Sequence, residues 1–222
     1  ADDRGYVFHS WSAQDKIDPA PIAAAQGSRF WDYQGNEYLD FTSQLVFTNL
    51  GHQHPHLIKA VQDQAGRLAT VAPAFANDVR AEFARMIVER SFEGARSVFF
   101  TNGGADGNEN AIRMARLHTN RHKILSFNRS YHGNTAAAIA ATGDQRRWPN
   151  EYAAFHVHFF GPFLYRSVFN AKTQEEECER AIAHLEQVIM FEGAQTIAAI
   201  LLETVVGTGG IMEPPPGYLQ AV

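Results

Sequence analysis

Hydrophobic and polar positions change their period several times along the chain, and each change marks an expected element. From Phe30 to Phe41 they alternate around Gln34-Gly35-Asn36, which predicts a β-hairpin with a glycine-containing turn. Leu57 to Leu68 follows helical spacing, and Pro55 suits the first turn of that helix. Asn77-Asp78 is placed to cap a helix in which Phe83, Met86 and Ile87 share one face, expected to be a core face. Val98-Phe99-Phe100 is an apolar run of strand type; Gly103 and Gly104 then permit a sharp turn, and Ala111, Ile112, Met114 and Ala115 resume helical spacing. Further strand-like runs begin at Ile124 and Ile197. Thr173-Gln174-Glu175-Glu176 forms a capping box, with Cys178, Ile182, Leu185 and Ile189 following on one helical face and Gly193 as the stop. Alternating helix and strand predict an α/β fold: a mainly parallel sheet with helices on both faces and right-handed crossovers. Residues 1–28 and the aromatic stretch from Glu151 to Phe169 show no clear period and are expected to be irregular.

Composition narrows the classes of function. With 222 residues, 45% of them apolar, the chain has material for one sizeable core, enough for one large domain or two small ones. A net charge of −5 with both signs scattered leaves no basic stripe, so nucleic acid is not an expected partner. No stretch approaches a membrane span or a signal peptide, which makes a cytoplasmic location the default expectation. The single cysteine, Cys178, excludes an intrachain disulfide, and its place in a helical pattern suits packing better than nucleophilic chemistry.

Two patterns invite a chemical reading. In the strand, glycine turn and helix from Ser97 to Arg116, absent side chains would let an oxyanion approach the main chain while the helix's first N–H groups point at it. That makes the turn a candidate phosphate cradle, the alternative being an ordinary βα loop. It is neither a Walker A loop, lacking the Lys-Ser/Thr, nor a dinucleotide fingerprint, whose glycine spacing differs. The run His52-Gln53-His54-Pro55-His56 puts alternate histidines on one face of an extended segment, but Pro55 fits a helix start and no cysteine or carboxylate cluster joins them, so no metal is expected. His118 and His122 have helical ligand spacing without the accompanying glutamate and read as solvated residues near a helix end.

Five ordered segments carry a family resemblance: Phe30 to Phe41, Leu50-Gly51-His52-Gln53-His54-Pro55, the glycine turn, Tyr131-His132-Gly133, and Leu201-Leu202-Glu203. In order and spacing they resemble the class III (omega) aminotransferases, pyridoxal-phosphate enzymes of fold type I, over about Tyr6 to Leu219. The resemblance implies that residues 1–50 belong to a small domain and 51–222 form the first part of a cofactor-binding large domain. It puts Gly103, Gly104 and Ala105 at the phosphate loop, Tyr131 where an aromatic residue stacks on the ring, followed by His132 and Gly133, and Glu203 near the cofactor. There the glutamate can pair with a carboxylate-receiving arginine. Trp11 and Val46 fall where the substrate pocket is lined. Departures are Gln44 for a glycine, Ala105 for a hydroxyl residue, Asp106-Gly107 for Glu-Ala, and Val206 for a glutamine.

A pyridoxal phosphate site also needs a carboxylate for the ring nitrogen and a lysine for the Schiff base. The resemblance places both beyond Val222, and none of Lys16, Lys59, Lys123 and Lys172 sits in a matching context. The implied protein is a homodimer that moves an amino group from an amino acid or omega-amine to a 2-oxo acid such as pyruvate or 2-oxoglutarate by a ping-pong Schiff-base mechanism. The 222 residues alone are expected to be an inactive first half. An aminomutase or decarboxylase of the same fold, or a non-catalytic binding module, would share these anchors.

Overall fold

A computed structural model describes residues 2–150 and 153–222. The chain divides into two compact units, Ala1–Glu93 and Gly94–Val222, so residues 51–93 fall with the first.

In the first unit a short helix α1 (Asp2–Tyr6) precedes an antiparallel sheet of β1 (Ile22–Gln26), β2 (Arg29–Asp32) and β3 (Glu37–Leu39), in that order. The expected hairpin is β2–β3. Asp32 fixes its turn by accepting from the N–H groups of Gln34 and Asn36, the Asn36 side-chain amide and the Tyr38 hydroxyl, at 2.8–2.9 Å. The Asn36 amide, with these other donors, holds the Asp32 carboxyl below the usual carboxylate range. Gly35 supplies the positive φ, +84°. Residues 1–28, expected to be irregular, thus contain α1 and β1; the small alanines of β1 gave no alternation to read.

A four-residue turn, α2 (Ser43–Val46), follows with φ between +46° and +69° throughout, a left-handed turn built from non-glycine residues. Helix α3 (Pro55–Arg67) begins with Pro55 in its first turn, as expected. Helix α4 (Asp78–Val88) has Asn77 as its cap, the side chain accepting from the Arg80 N–H at 3.0 Å, a bond worth about 1 kcal/mol. The expectation that α4 is a core helix fails. Phe83 is 54% and Met86 41% exposed, and among the described residues of this unit Asp32 alone is buried. A helical period shows which side chains share a face; it does not show what lies opposite.

In the second unit the apolar run Val98–Phe100 forms no strand, a correction to the sequence reading. Phe99 and Phe100 are exposed, and no described strand pairs with them. A strand is made by its ladder, and the local pattern carries no information about the partner. Helix α5 (Gly104–Thr119) then leads to β4 (Lys123–Phe127), helix α6 (Ala136–Ala141), β5 (His156–Phe159), helix α7 (Gln174–Glu192), β6 (Ile197–Leu201) and the short α8 (Tyr218–Ala221). The strands form a parallel sheet in the order β5-β4-β6. β5 lies inside the stretch from Glu151 to Phe169 that was expected to be irregular, of which 151 and 152 lie outside the described residues. Its two histidines mask the alternation.

Alternation along β4 builds the two layers. Ile124 faces Ile112 of α5 and Ala141 of α6, while Leu125 and Phe127 join Phe159, Ala181, Leu185 and Tyr218 on the α7 side. Ser126, buried among apolar residues, donates its hydroxyl to the Ala141 carbonyl at 2.6 Å. The cap of α7 is as expected: Thr173 Oγ1 accepts from the Glu176 N–H at 3.2 Å. The Glu176 carboxylate accepts instead from the Lys172 N–H, one residue before the cap. Cys178 packs against this core.

Candidate functional site

Helix α5 begins at Gly104 with Gly103 as its cap, a residue that has no side chain to bond the helix end. A Cβ built at either Gly103 or Gly104 meets nothing within 4 Å. Packing within the chain therefore does not require these glycines; they keep open the space in front of the helix's first N–H groups, where the helix dipole is positive. Thr101 donates its hydroxyl to the Gly103 carbonyl at 3.1 Å, and the same oxygen accepts from the Gly107 N–H at 3.0 Å.

The loop Tyr131-His132-Gly133 lies directly on α5. Gly133, at φ +133°, approaches Ala105 so closely that its own Cβ would fall 2.6 Å from the Ala105 Cβ. The methyl group that replaces the expected hydroxyl residue at 105 is thus a packing surface. Asn108 donates to the His132 carbonyl at 2.6 Å, and Glu109 Oε1 accepts from the Thr135 hydroxyl and the N–H groups of Ala137 and Ala138 at 2.6–3.0 Å. Partial burial pushes Glu109 upward, but these three donors outweigh it and hold its carboxyl below the usual value. Sequence reading assigned Asn108 and Glu109 no role. Their signal was present in the helical spacing of 105, 108, 109 and 112, which puts them on one face with the buried Ile112.

Glu203 follows β6 by two residues, at the carboxyl edge of the parallel strands, where open α/β sheets place ligands. Its Oε1 accepts from the Tyr131 N–H at 3.0 Å and its Oε2 from the Gly207 N–H at 2.8 Å, so one carboxylate ties the aromatic loop to the segment beyond β6. Arg146 lies with its guanidinium carbon 3.9 Å from the centre of the Tyr131 ring. Its partners include the Asp144 carboxylate and the Thr208 hydroxyl, the latter at 2.9 Å. Asp144 raises the Arg146 pKa, and the Glu203 charge adds to the effect. Arg146 too went unnoticed in the sequence, because an arginine in a short 3-10 helix (Gln145–Asn150) reveals nothing of the ring it covers. His132 is buried, with Nε2 lacking a hydrogen-bond partner; burial lowers its pKa, partly opposed by Glu203.

Gly103, Gly104, Ala105, Tyr131, His132, Gly133 and Glu203 therefore come together through α5 and the edge of the sheet. Val206 is buried in the core, and its backbone pairs with that of Met212 at 2.9 and 3.1 Å. In the first unit, Trp11 is 58% exposed at φ +57°, and Val46 is 78% exposed on the left-handed turn. Gln44 on that turn bonds His52 Nδ1 at 2.9 Å, and His52 Nε2 meets Asp40 at 2.7 Å. That occupies both ring nitrogens of His52 without a metal, and no metal-binding cluster occurs among the described residues.

The family profile of class-III aminotransferases matches residues 11–222. The chain belongs to that family. Acetylornithine aminotransferase of Caldanaerobacter subterraneus is 35% identical over 92% of the chain and 48% of that relative. Hypotaurine/taurine–pyruvate aminotransferase of Paracoccus denitrificans is 34% identical over 100% and 50%. Among solved structures, the taurine:2-oxoglutarate aminotransferase of Bifidobacterium kashiwanohense, in complex with pyridoxal phosphate and glutamate, aligns with a TM-score of 0.92 and 40% identity, over 99% of this chain and 50% of that one. An (S)-enantioselective omega-transaminase from Thermomicrobium roseum aligns at 0.90 and 34%. The fold is accordingly that of fold type I transaminases, and the chain spans about half the length of the curated relatives it matches.

Proposed function

We propose that the protein carrying this chain is a pyridoxal-phosphate-dependent aminotransferase that moves an amino group from an amino acid or omega-amine to a 2-oxo acid such as pyruvate or 2-oxoglutarate. The observation that carries the reading is the open glycine turn at the start of α5, with Tyr131 held beside it by Ala105, Asn108 and Glu203. A phosphate fits the turn because a Cβ at 103 or 104 would occupy free space, and N–H groups at a helix start favour an anion. Gly103, Gly104 and Ala105 would hold the phosphate, and Tyr131 would face the ring. Arg146 lies over the Tyr131 ring, its guanidinium carbon 3.9 Å from the ring centre. Glu203, with both oxygens bonded to backbone, keeps that loop in place while leaving a negative charge near Arg146 and His132. When bound, the cofactor supplies an electron sink for bonds at the amino carbon.

Trp11 and Val46 belong to the substrate pocket in this reading, which their exposure supports. The protein is a cytoplasmic homodimer. Dimerisation is supported by the apolar side chains that α3 and α4 leave outside, including Leu57, Val61 and Phe83 at 49–59% exposure. No helix of the described residues is long and apolar enough to cross a membrane. The test is to mix full-length protein with pyridoxal phosphate, an amino donor such as taurine or N-acetylornithine, and 2-oxoglutarate or pyruvate. Formation of glutamate or alanine in proportion to donor consumed supports the reading. Cofactor binding without amino transfer to either acceptor would favour a decarboxylase, an aminomutase or a binding module.

A further inference from the structure

We propose that Glu109 is a positioning residue of the cofactor site, coupling the phosphate cradle at the start of α5 to the Tyr131 ring seat through Thr135, Ala137 and Ala138. The inference rests on the reading of that site as a pyridoxal phosphate site and names a residue that reading does not use. Three contacts lie along one face of α5: Ala105 against Gly133, Asn108 on the His132 carbonyl, and Glu109 on the start of α6. The spacing 105, 108, 109 is that of successive turns of a single helix face. The loop from Tyr131 to Thr135 is therefore laid along the same helix whose N-terminus opens onto the anion.

Glu109 is the far anchor of this loop. The Thr135 cap makes no side-chain hydrogen bond to its own helix, so the N–H groups at the start of α6 are satisfied from outside, by the carboxylate of a neighbouring helix. One oxygen, Oε1, takes all three bonds. Glutamine retains such an oxygen, whereas alanine leaves the start of α6 without its acceptor. Removing it frees the loop at Thr135 and leaves the cradle intact, because Gly103 and Gly104 precede Glu109 on α5 and do not contact it through any of these bonds. The consequence is a selective loss: ring recognition weakens while anion recognition stays.

The experiment uses ligand-free full-length protein and two probes, 4′-deoxypyridoxine 5′-phosphate, which has ring and phosphate but no aldehyde, and inorganic phosphate. In Glu109→Ala the dissociation constant of the ring-bearing probe should rise about tenfold, the scale of a lost stacking contact, while that of phosphate changes less than about twofold. Glu109→Gln should stay within about threefold of wild type for both probes, since it keeps the accepting oxygen. Thr135→Val, which removes one of the three donors, should fall between them. Amide exchange at Ala137 and Ala138 should quicken in Glu109→Ala and return to the wild-type rate in Glu109→Gln. Equal weakening of both probes, or none, in Glu109→Ala overturns the role of Glu109, and so does failure of glutamine to rescue. Should Glu109→Ala not fold, Thr135→Val with an unchanged ratio of the two affinities overturns it equally. Absence of binding of either probe by the wild-type protein would instead sink the cofactor reading on which the inference rests.

Discussion

The backbone of Gly133 lies against Ala105 with no room for a side chain between them: a Cβ at 133 would sit 2.6 Å from the Ala105 Cβ, 2.8 Å from its Cα and 3.1 Å from the Ala138 Cβ. With φ at +133°, alanine would meet both a backbone it rarely adopts and a rigid neighbour. Gly133→Ala should therefore destabilise the protein by about 2 kcal/mol or more and displace the Tyr131 loop. Gly104→Ala, with nothing within 4 Å of the new methyl, should leave stability unchanged or slightly higher. Urea unfolding midpoints of the two variants check the contrast; equal midpoints would mean that the close approach is not maintained in solution.

At Gly104 a larger side chain is expected to act on the ligand and not on the fold. Gly104→Val should fold normally yet fail to retain pyridoxal phosphate, because the branched Cβ fills the space an oxyanion needs. Ala105→Ser should keep or improve retention, provided the hydroxyl points away from Gly133 into the cradle. Cofactor absorbance after gel filtration decides both. Normal absorbance in Gly104→Val would remove the phosphate from this turn.

Tyr131 is fixed through its N–H by Glu203, and Arg146 lies over its ring. Stacking depends on the aromatic face, so Tyr131→Phe should keep most of the cofactor affinity, and Tyr131→Ala should lose about tenfold, the scale of a stacking interaction. Titration by fluorescence quenching measures both. Equal losses would shift the burden to the hydroxyl.

The elements legible in the sequence were those whose signal is local. The cap at Thr173, the cap at Asn77, Pro55 in the first turn of α3 and the hairpin around Gly35 each rest on a few neighbouring residues. What depends on distant partners was not legible. Val98–Phe100 has the composition of a strand but no ladder among the described residues, and Phe83 and Met86 on the apolar stripe of α4 are exposed. The candidate site divides in the same way. Motif spacing indicated the glycine turn, the Tyr131 loop and Glu203, whereas Asn108, Glu109 and Arg146 become visible only when the loop is laid on α5 and over the ring.

Burial depresses the pKa values of His132 and His156, so the folded protein favours their neutral forms more than the unfolded chain does. Below the ordinary histidine value the unfolded chain takes up protons that the folded one refuses, so stability is complete above about pH 6.5 and falls as the pH drops toward the lowered values. The urea midpoint should be lower at about pH 5.5 than at about pH 7.5, and His132→Leu should narrow the gap. A gap unchanged in that variant would show that His132 is protonated equally easily in both states.

The surroundings of the four lysines lead to the expectation that none of them holds a cofactor as a Schiff base. That role needs an amine free of a fixed ion pair and screened from water, so that it can lose its proton near neutral pH. Lys123 donates to the Glu192 carbonyl and carboxylate, both at 2.7 Å, and Lys59 donates to both oxygens of Asp63 at 2.9 Å from an exposed helix face. Lys16 and Lys172 are exposed. Borohydride reduction of the full-length, cofactor-loaded protein followed by peptide mapping should therefore place the pyridoxyl group on none of these four. Lys123→Met tests the best buried of them: it should lower stability, through loss of the Glu192 pairing, without changing cofactor incorporation. A stoichiometric adduct at Lys123, or loss of incorporation in Lys123→Met with the fold intact, would place the reactive amine at the start of β4 and require Glu192 to release it.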